Sequence, residues 1–146
     1  MVIPDLLKFR KELSEWIVKE CHIIFIARCI KKELKAKHRH LLNLWYSLFV
    51  TLKRKIQEKN AKPLLSYLPA CLERSMERYS ASECDKMIAS LAYDRCKRGG
   101  SNKVLLISRD PCFLELSSVF ERYGISIIKP CDFLKNFSTD HNNPKT

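Results

Sequence analysis

Between Lys103 and Pro130 the hydrophobic pattern changes period twice. Val104 to Ile107 is an unbroken apolar run, the pattern of a central parallel strand covered on both faces. Phe113, Leu116, Val119, Phe120 and Tyr123 then follow helical spacing, opened by Asp110-Pro111 as N-cap and first helical residue and stopped by Gly124. Ile125, Ile127 and Ile128 return to a strand pattern, so the segment predicts a βαβ unit with parallel strands and a right-handed crossover. Upstream, Leu6, Leu7, Phe9, Leu13, Trp16 and Ile17 predict an amphipathic helix over residues 4–20, leaving at most residues 1–3 for an earlier strand. A buried strand follows within residues 21–27 and a short helix over 28–36. Leu41, Trp45, Leu48, Leu52 and Ile56 are spaced 4, 3, 4, 4 and predict one long helix over 38–59, ended by Asn60 and Pro63. A helix over about 64–79, bent near Pro69, and another over 83–97, ended by Gly99-Gly100, complete the series. At the start of the latter, Ser80-Ala81-Ser82-Glu83 matches a capping box, and Ser82 offers an alternative start. Helices lying between a first strand near residue 24 and a terminal βαβ unit mean an α/β fold.

With 146 residues, 46% of them hydrophobic, the chain has enough apolar side chains for one substantial core and is too short for two. Residues 1–137 are therefore read as a single domain and 138–146 as a flexible polar tail. The formal charge of +11 favours a polyanionic partner, whether RNA, DNA or anionic lipid. There is no run of about 18 apolar residues, and Asp5, Lys8 and Arg10 come too early for a signal peptide, so no membrane partner and a cytoplasmic location are expected. Seven cysteines include no C-x-x-C pair of the kind structural zinc uses. They read as buried small apolar residues, with an intracellular disulfide as the alternative, a feature found mainly in hyperthermophiles. The three glycines and single glutamine, beside abundant Lys and Glu, point the same way.

Two aspartates stand out. Asp110 lies where the strand at 104–107 hands over to a helix, beyond the carboxyl end where ligands of open α/β sheets gather. Asp85 shares a helix face with Ile88 and Ala92, where a carboxylate needs a reason such as a bound cation; a first-turn acid favoured by the helix dipole is the simpler alternative. Asp85 followed by Met87-Ile88-Ala89-Ser90-Leu91-Ala92, the strand ending in Ser108-Arg109-Asp110, and Ile127-Ile128-Lys129-Pro130-Cys131-Asp132-Phe133-Leu134 together resemble the carboxyl-terminal half of PIN-domain nucleases. The segment HIIFIARCIKKELKA resembles that family's second strand and following helix, which places the family's glutamate on Glu33. The likeness spans roughly residues 22–134 and is best over 82–134.

The resemblance implies a three-layer PIN-like fold with a small central, mainly parallel sheet flanked by helices. It also implies a carboxylate cluster that binds Mg²⁺ or Mn²⁺ and hydrolyses RNA phosphodiesters, with Asp85, Asp110 and Glu33 as catalytic metal ligands. The family's leading aspartate has no clear match: Met1-Val2-Ile3-Pro4-Asp5 places proline before the acid, so Asp5 is either its displaced equivalent or an N-cap residue of the first helix. Capping alone also explains Asp110, and Glu33 in KKELK can simply balance its lysines. Arg28, Lys31, Lys32, Lys35 and Arg39, with Ser108 and Arg109, are the expected nucleic-acid contacts. A catalytically inactive PIN-like RNA-binding or protein-interaction module is the competing reading, and a small interaction protein that dimerises through the 38–59 helix is a third. A homodimer and an inhibitory protein partner, as in toxin ribonucleases, complete the expected partners.

Overall fold

The computed structural model describes residues 3–20, 23–52, 55–99 and 104–135. Helices α1 (Ile3–Leu7) and α2 (Arg10–Glu20) replace the single helix expected over 4–20, the chain turning at Lys8 and Phe9. Their apolar face is nevertheless the predicted one: Leu7, Leu13 and Ile17 are buried. Strand β1 (Ile24–Ala27) runs directly into α3 (Arg28–Lys37). A 3₁₀ turn at Arg39–Leu41 leads into α4 (Leu42–Leu52).

The expected helix over 38–59 is not continuous. Ile56–Lys59 is a strand, β2, paired in parallel with β1 in the register Ile24↔Ile56 to Ala27↔Lys59. All the stripe's apolar residues do turn inward, with Trp45, Leu48, Leu52 and Ile56 buried. Ile56 reaches the core by strand pairing, a tertiary interaction that overrides its helical phase. Because this stripe is consumed inside the protein, it is no longer a dimerisation surface.

A 3₁₀ segment (Lys62–Tyr67) and α5 (Ala70–Glu77) are separated at Pro69, as the bend there predicted. Helix α6 (Glu83–Arg98) is the longest described, and it takes the alternative start. Ser82 is the N-cap, and Ser82 and Asp85 exchange reciprocal hydrogen bonds: the Asp85 N–H donates to Ser82 Oγ at 3.1 Å, and the Ser82 N–H to Asp85 Oδ2 at 3.1 Å. Ser80 falls instead in the turn before the helix, with φ of 55°.

Strand β3 (Val104–Ile107), α7 (Pro111–Glu115), α8 (Ser117–Glu121) and β4 (Ile125–Ile128) form the predicted βαβ unit, with β3 and β4 parallel and in direct register from Val104↔Ile125 to Ile107↔Ile128. The crossover helix is broken at Leu116. Gly124 has φ of 85°, which explains why glycine ends it. A last helical stretch occupies residues 130–135.

Among the described residues the strands make two separate two-stranded parallel sheets, β1 with β2 and β3 with β4, rather than one central sheet. The fold is mixed α/β in this coarser sense. Strand β3 is accordingly not covered on both faces, and Leu105 is 46% exposed. One core cluster joins α1, α2, α4, β1 and β2 to Phe133 and Leu134, with Ile107 and Ile128 packed against it. A second joins α5, α6, β3, α7, α8 and β4 around Phe113 and Phe120. No helix among the described residues is long and apolar enough to cross a membrane.

Candidate functional site

Asp110 is held by the geometry of the strand-to-helix turn. Ser108 continues the ladder by donating its N–H to Ile128 O at 3.0 Å, and its buried hydroxyl accepts the Asp110 N–H at 3.0 Å. The Asp110 carboxylate then caps α7, accepting the Cys112 N–H through Oδ1 at 2.9 Å. Asp85 is likewise a first-turn residue, using Oδ2 in the α6 capping box. Both aspartates therefore serve the starts of their helices. Each hydrogen bond occupies one carboxylate oxygen.

Both aspartates bear electrostatically on Cys112. This thiol is 1% exposed, and burial, followed by the negative charges of Asp110 and then Asp85, pushes its pKa up to about 11. Each carboxylate sits at a helix start, where the backbone N–H groups favour its negative charge. Because the folded thiol ionises later than an unfolded one near 9.0, its contribution to stability is fully present below about pH 9 and is lost as pH rises toward 11. We expect wild type to lose up to about 2.5 kcal/mol more than Cys112→Ala over that interval. Urea denaturation of both proteins at pH 8 and pH 11 checks this; parallel losses would mean that the thiol is not shielded.

The other two expected carboxylates are engaged elsewhere. Glu33 accepts an ion pair from Lys37 one turn along α3, at 3.2 Å, on a partly exposed face. Asp5 is paired with the Arg109 guanidinium. Asp5 therefore does reach the segment that carries Asp110, but it arrives already bound to a cation. Among the described residues, no group of three or more His, Cys, Asp or Glu side chains is placed to hold one metal ion. Asp132 is exposed and pairs with Lys135 at 3.4 Å.

Of the basic residues, Arg28, Lys32, Lys35 and Arg39 are exposed. The first three are spaced 4 and 3 along α3, so they share one side of it. Lys31 is instead drawn inward, bridging to Glu58 of β2 at 3.2 Å and lying over the Tyr46 ring. Arg95 stacks on Phe25 with 4.2 Å to the ring centroid, and Arg98 pairs with Asp94 at 2.9 Å.

Composition did not disclose how the cysteines are used. Cys29, in the first turn of α3, and Cys84, in the first turn of α6, form a disulfide with Cα atoms 5.8 Å apart. Cys71 and Cys131 are exposed, Cys96 is half-buried and Cys112 is buried. Among the described cysteines only Cys112 matches the reading of a buried apolar residue; Cys21 lies outside them. The disulfide joins the helix bearing Glu33 to the residue before Asp85, a link that spacing alone could not reveal because seven cysteines allow many pairings. Comparison with family models, curated proteins and solved structures found no match for this chain.

Proposed function

We propose that this protein acts on RNA as a PIN-like, divalent-metal-dependent ribonuclease whose metal site is completed by the substrate. The observation that carries this reading is the placement of Asp110 just past the carboxyl end of β3, fixed by Ser108 and capping α7, with Asp85 in the first turn of α6. Two carboxylates are too few for a closed protein cage, but Mg²⁺ commonly binds through one or two carboxylates together with substrate phosphates and water. Asp85 and Asp110 would hold such an ion; Glu33 and Asp5 would have to leave Lys37 and Arg109 to join them.

When bound, Mg²⁺ or Mn²⁺ would supply Lewis-acid polarisation of the phosphodiester and a more acidic water. Arg28, Lys32, Lys35 and Arg39 would hold the RNA backbone and reduce its repulsion by the carboxylates. Ser108 and Asp110 Oδ1 fix the turn, so the Asp110 carboxylate is oriented before substrate arrives.

Asparagine caps a helix about as well as aspartate, which lets Asp110→Asn remove the charge while keeping the cap. We expect Asp85→Asn and Asp110→Asn each to cut Mn²⁺-dependent cleavage of single-stranded RNA at least 100-fold, with unfolding free energy changed by less than about 0.5 kcal/mol. Cleavage that persists in both variants, or in excess chelator, would sink the assignment. A second reading, an RNA-binding module without catalysis, is supported by the engagement of Asp5 and Glu33 in ion pairs. It predicts wild-type binding without cleavage, with a salt slope of about −3 for four phosphate contacts on single-stranded RNA.

A further inference from the structure

A cavity of about 500 Å³ lies at the carboxyl ends of β3 and β4, against the turn that follows α1. Three segments each bring a cation to it: Lys8 just after α1, Arg109 two residues past β3, and Lys129 immediately past β4. Its single acid is Asp5, which is matched by Arg109. Neither Lys8 nor Lys129 has an ion pair among the described residues, so the cavity carries two uncompensated positive charges. Phe9, Leu114 and Leu134 give it an apolar wall.

We propose that this cavity binds a phosphomonoester carried on a nucleoside. A phosphomonoester bears about 1.5 to 2 negative charges near pH 7, which matches the surplus of two. A backbone phosphodiester bears only one and would leave a lysine unanswered. The Asp5 carboxylate holds the Arg109 guanidinium in place, so a donor is oriented before the ligand enters. The volume lies in the usual range for small-ligand sites and suits one nucleotide with its ring on the apolar wall, not a stretch of polymer. The charge argument stands by itself; only the choice of a nucleoside as the body rests on the reading that the protein acts on RNA. Two sources share this chemistry, a free mononucleotide and the 5′-phosphorylated end of an RNA.

Cys131 lines the cavity and is exposed, whereas Cys71 is exposed and lies elsewhere, which provides an internal control. In the full chain with excess chelator, adenosine 5′-monophosphate should slow alkylation of Cys131 at least fivefold and leave Cys71 unchanged, as read by peptide-resolved mass spectrometry. Adenosine should bind at least tenfold more weakly, and inorganic phosphate should compete. Lys8→Gln combined with Lys129→Gln should weaken the monophosphate at least tenfold. Equal binding of monophosphate and adenosine, no selective protection of Cys131, or an unaffected double variant would overturn the proposal. The comparison of monophosphate with adenosine uses wild type alone, so a poorly folded variant does not spoil it. A 5′-phosphorylated oligoribonucleotide that binds at least tenfold tighter than its 5′-hydroxyl counterpart identifies the RNA end as the source; equal affinities identify the free nucleotide. Chelator removes metal-dependent cleavage from the measurement, so monophosphate binding by a chain that never cleaves RNA would refute the ribonuclease reading and leave this site standing.

Discussion

Replacing Phe120 with alanine is expected to destabilise the protein by about 3–5 kcal/mol, the largest effect of any single side chain considered above. Phe120 is fully buried on α8, and its ring lies 5.4 Å from that of Phe113, which is buried too. Together they fill the space between the crossover helices and the β3–β4 pair, within the cluster that also holds Leu72, Met76 and Ile125. Truncation removes transfer free energy and leaves a void in a close-packed cluster that collapses only in part. Urea denaturation of Phe120→Ala beside Phe120→Leu checks this, the leucine variant being expected to retain more than half of the lost stability. A loss below about 1 kcal/mol for the alanine variant would show that this cluster is not tightly packed.

Reduction of the Cys29–Cys84 bond is the second large effect. The bridge closes a loop of 55 residues, for which the chain-entropy relation gives about 4 kcal/mol, and measured native disulfides commonly contribute about 2–5 kcal/mol. The expected result is a thermal midpoint lowered by roughly 10 °C or more in a dithiol reductant. Cys29→Ser with Cys84→Ser should sit at the reduced midpoint with or without the reductant. A wild-type midpoint indifferent to reductant would mean that the two thiols do not stay bonded. The consequence extends beyond stability, because the bridge pins the start of α6 beside the carboxylate of Asp85. Loosening it should therefore disturb the start of α6 and the placing of the Asp85 carboxylate before it affects the β3–β4 half of the protein.

The terminal βαβ unit was legible in the sequence because each signal there is local. An apolar tetrad, an Asp-Pro start and a glycine at positive φ each specify their own conformation, and all agree with the fold. Strand β2 was not legible. Ile56-Gln57-Glu58-Lys59 contains one apolar residue, which sits in helical phase with Leu52, so only the partner strand β1 makes it a strand. The start of α6 shows a finer limit. Two overlapping Ser-x-x-acid patterns compete, and the one that wins leaves Ser80 at a left-handed φ that its own sequence does not announce.

The site was legible in its members more than in their pairings. Asp85 and Asp110 could be placed at helix starts from spacing alone; Asp110 caps as expected, and Asp85, expected as a first-turn acid, also joins the capping box. That Arg109 would take Asp5, or that Cys112 would lie under the influence of both aspartates, depends on how distant segments pack. Ion pairs between segments a hundred residues apart leave no periodicity for a sequence to display. The Lys31–Glu58 bridge is of the same kind, since it follows from the pairing of β1 with β2.

Dividing four short strands into two pairs also bears on solubility. Two pairs have four ladder edges where one sheet would have two, and among the described residues no further strand covers them. Leu105 stands exposed on β3, offering an apolar handle beside open backbone donors and acceptors. What opposes strand-to-strand association between molecules is mutual repulsion at a net charge of +11. That protection weakens with added salt and is cancelled by a bound polyanion. The net charge thus acts as the colloidal guard of an unfinished sheet, and any polyanion that bound would lower it.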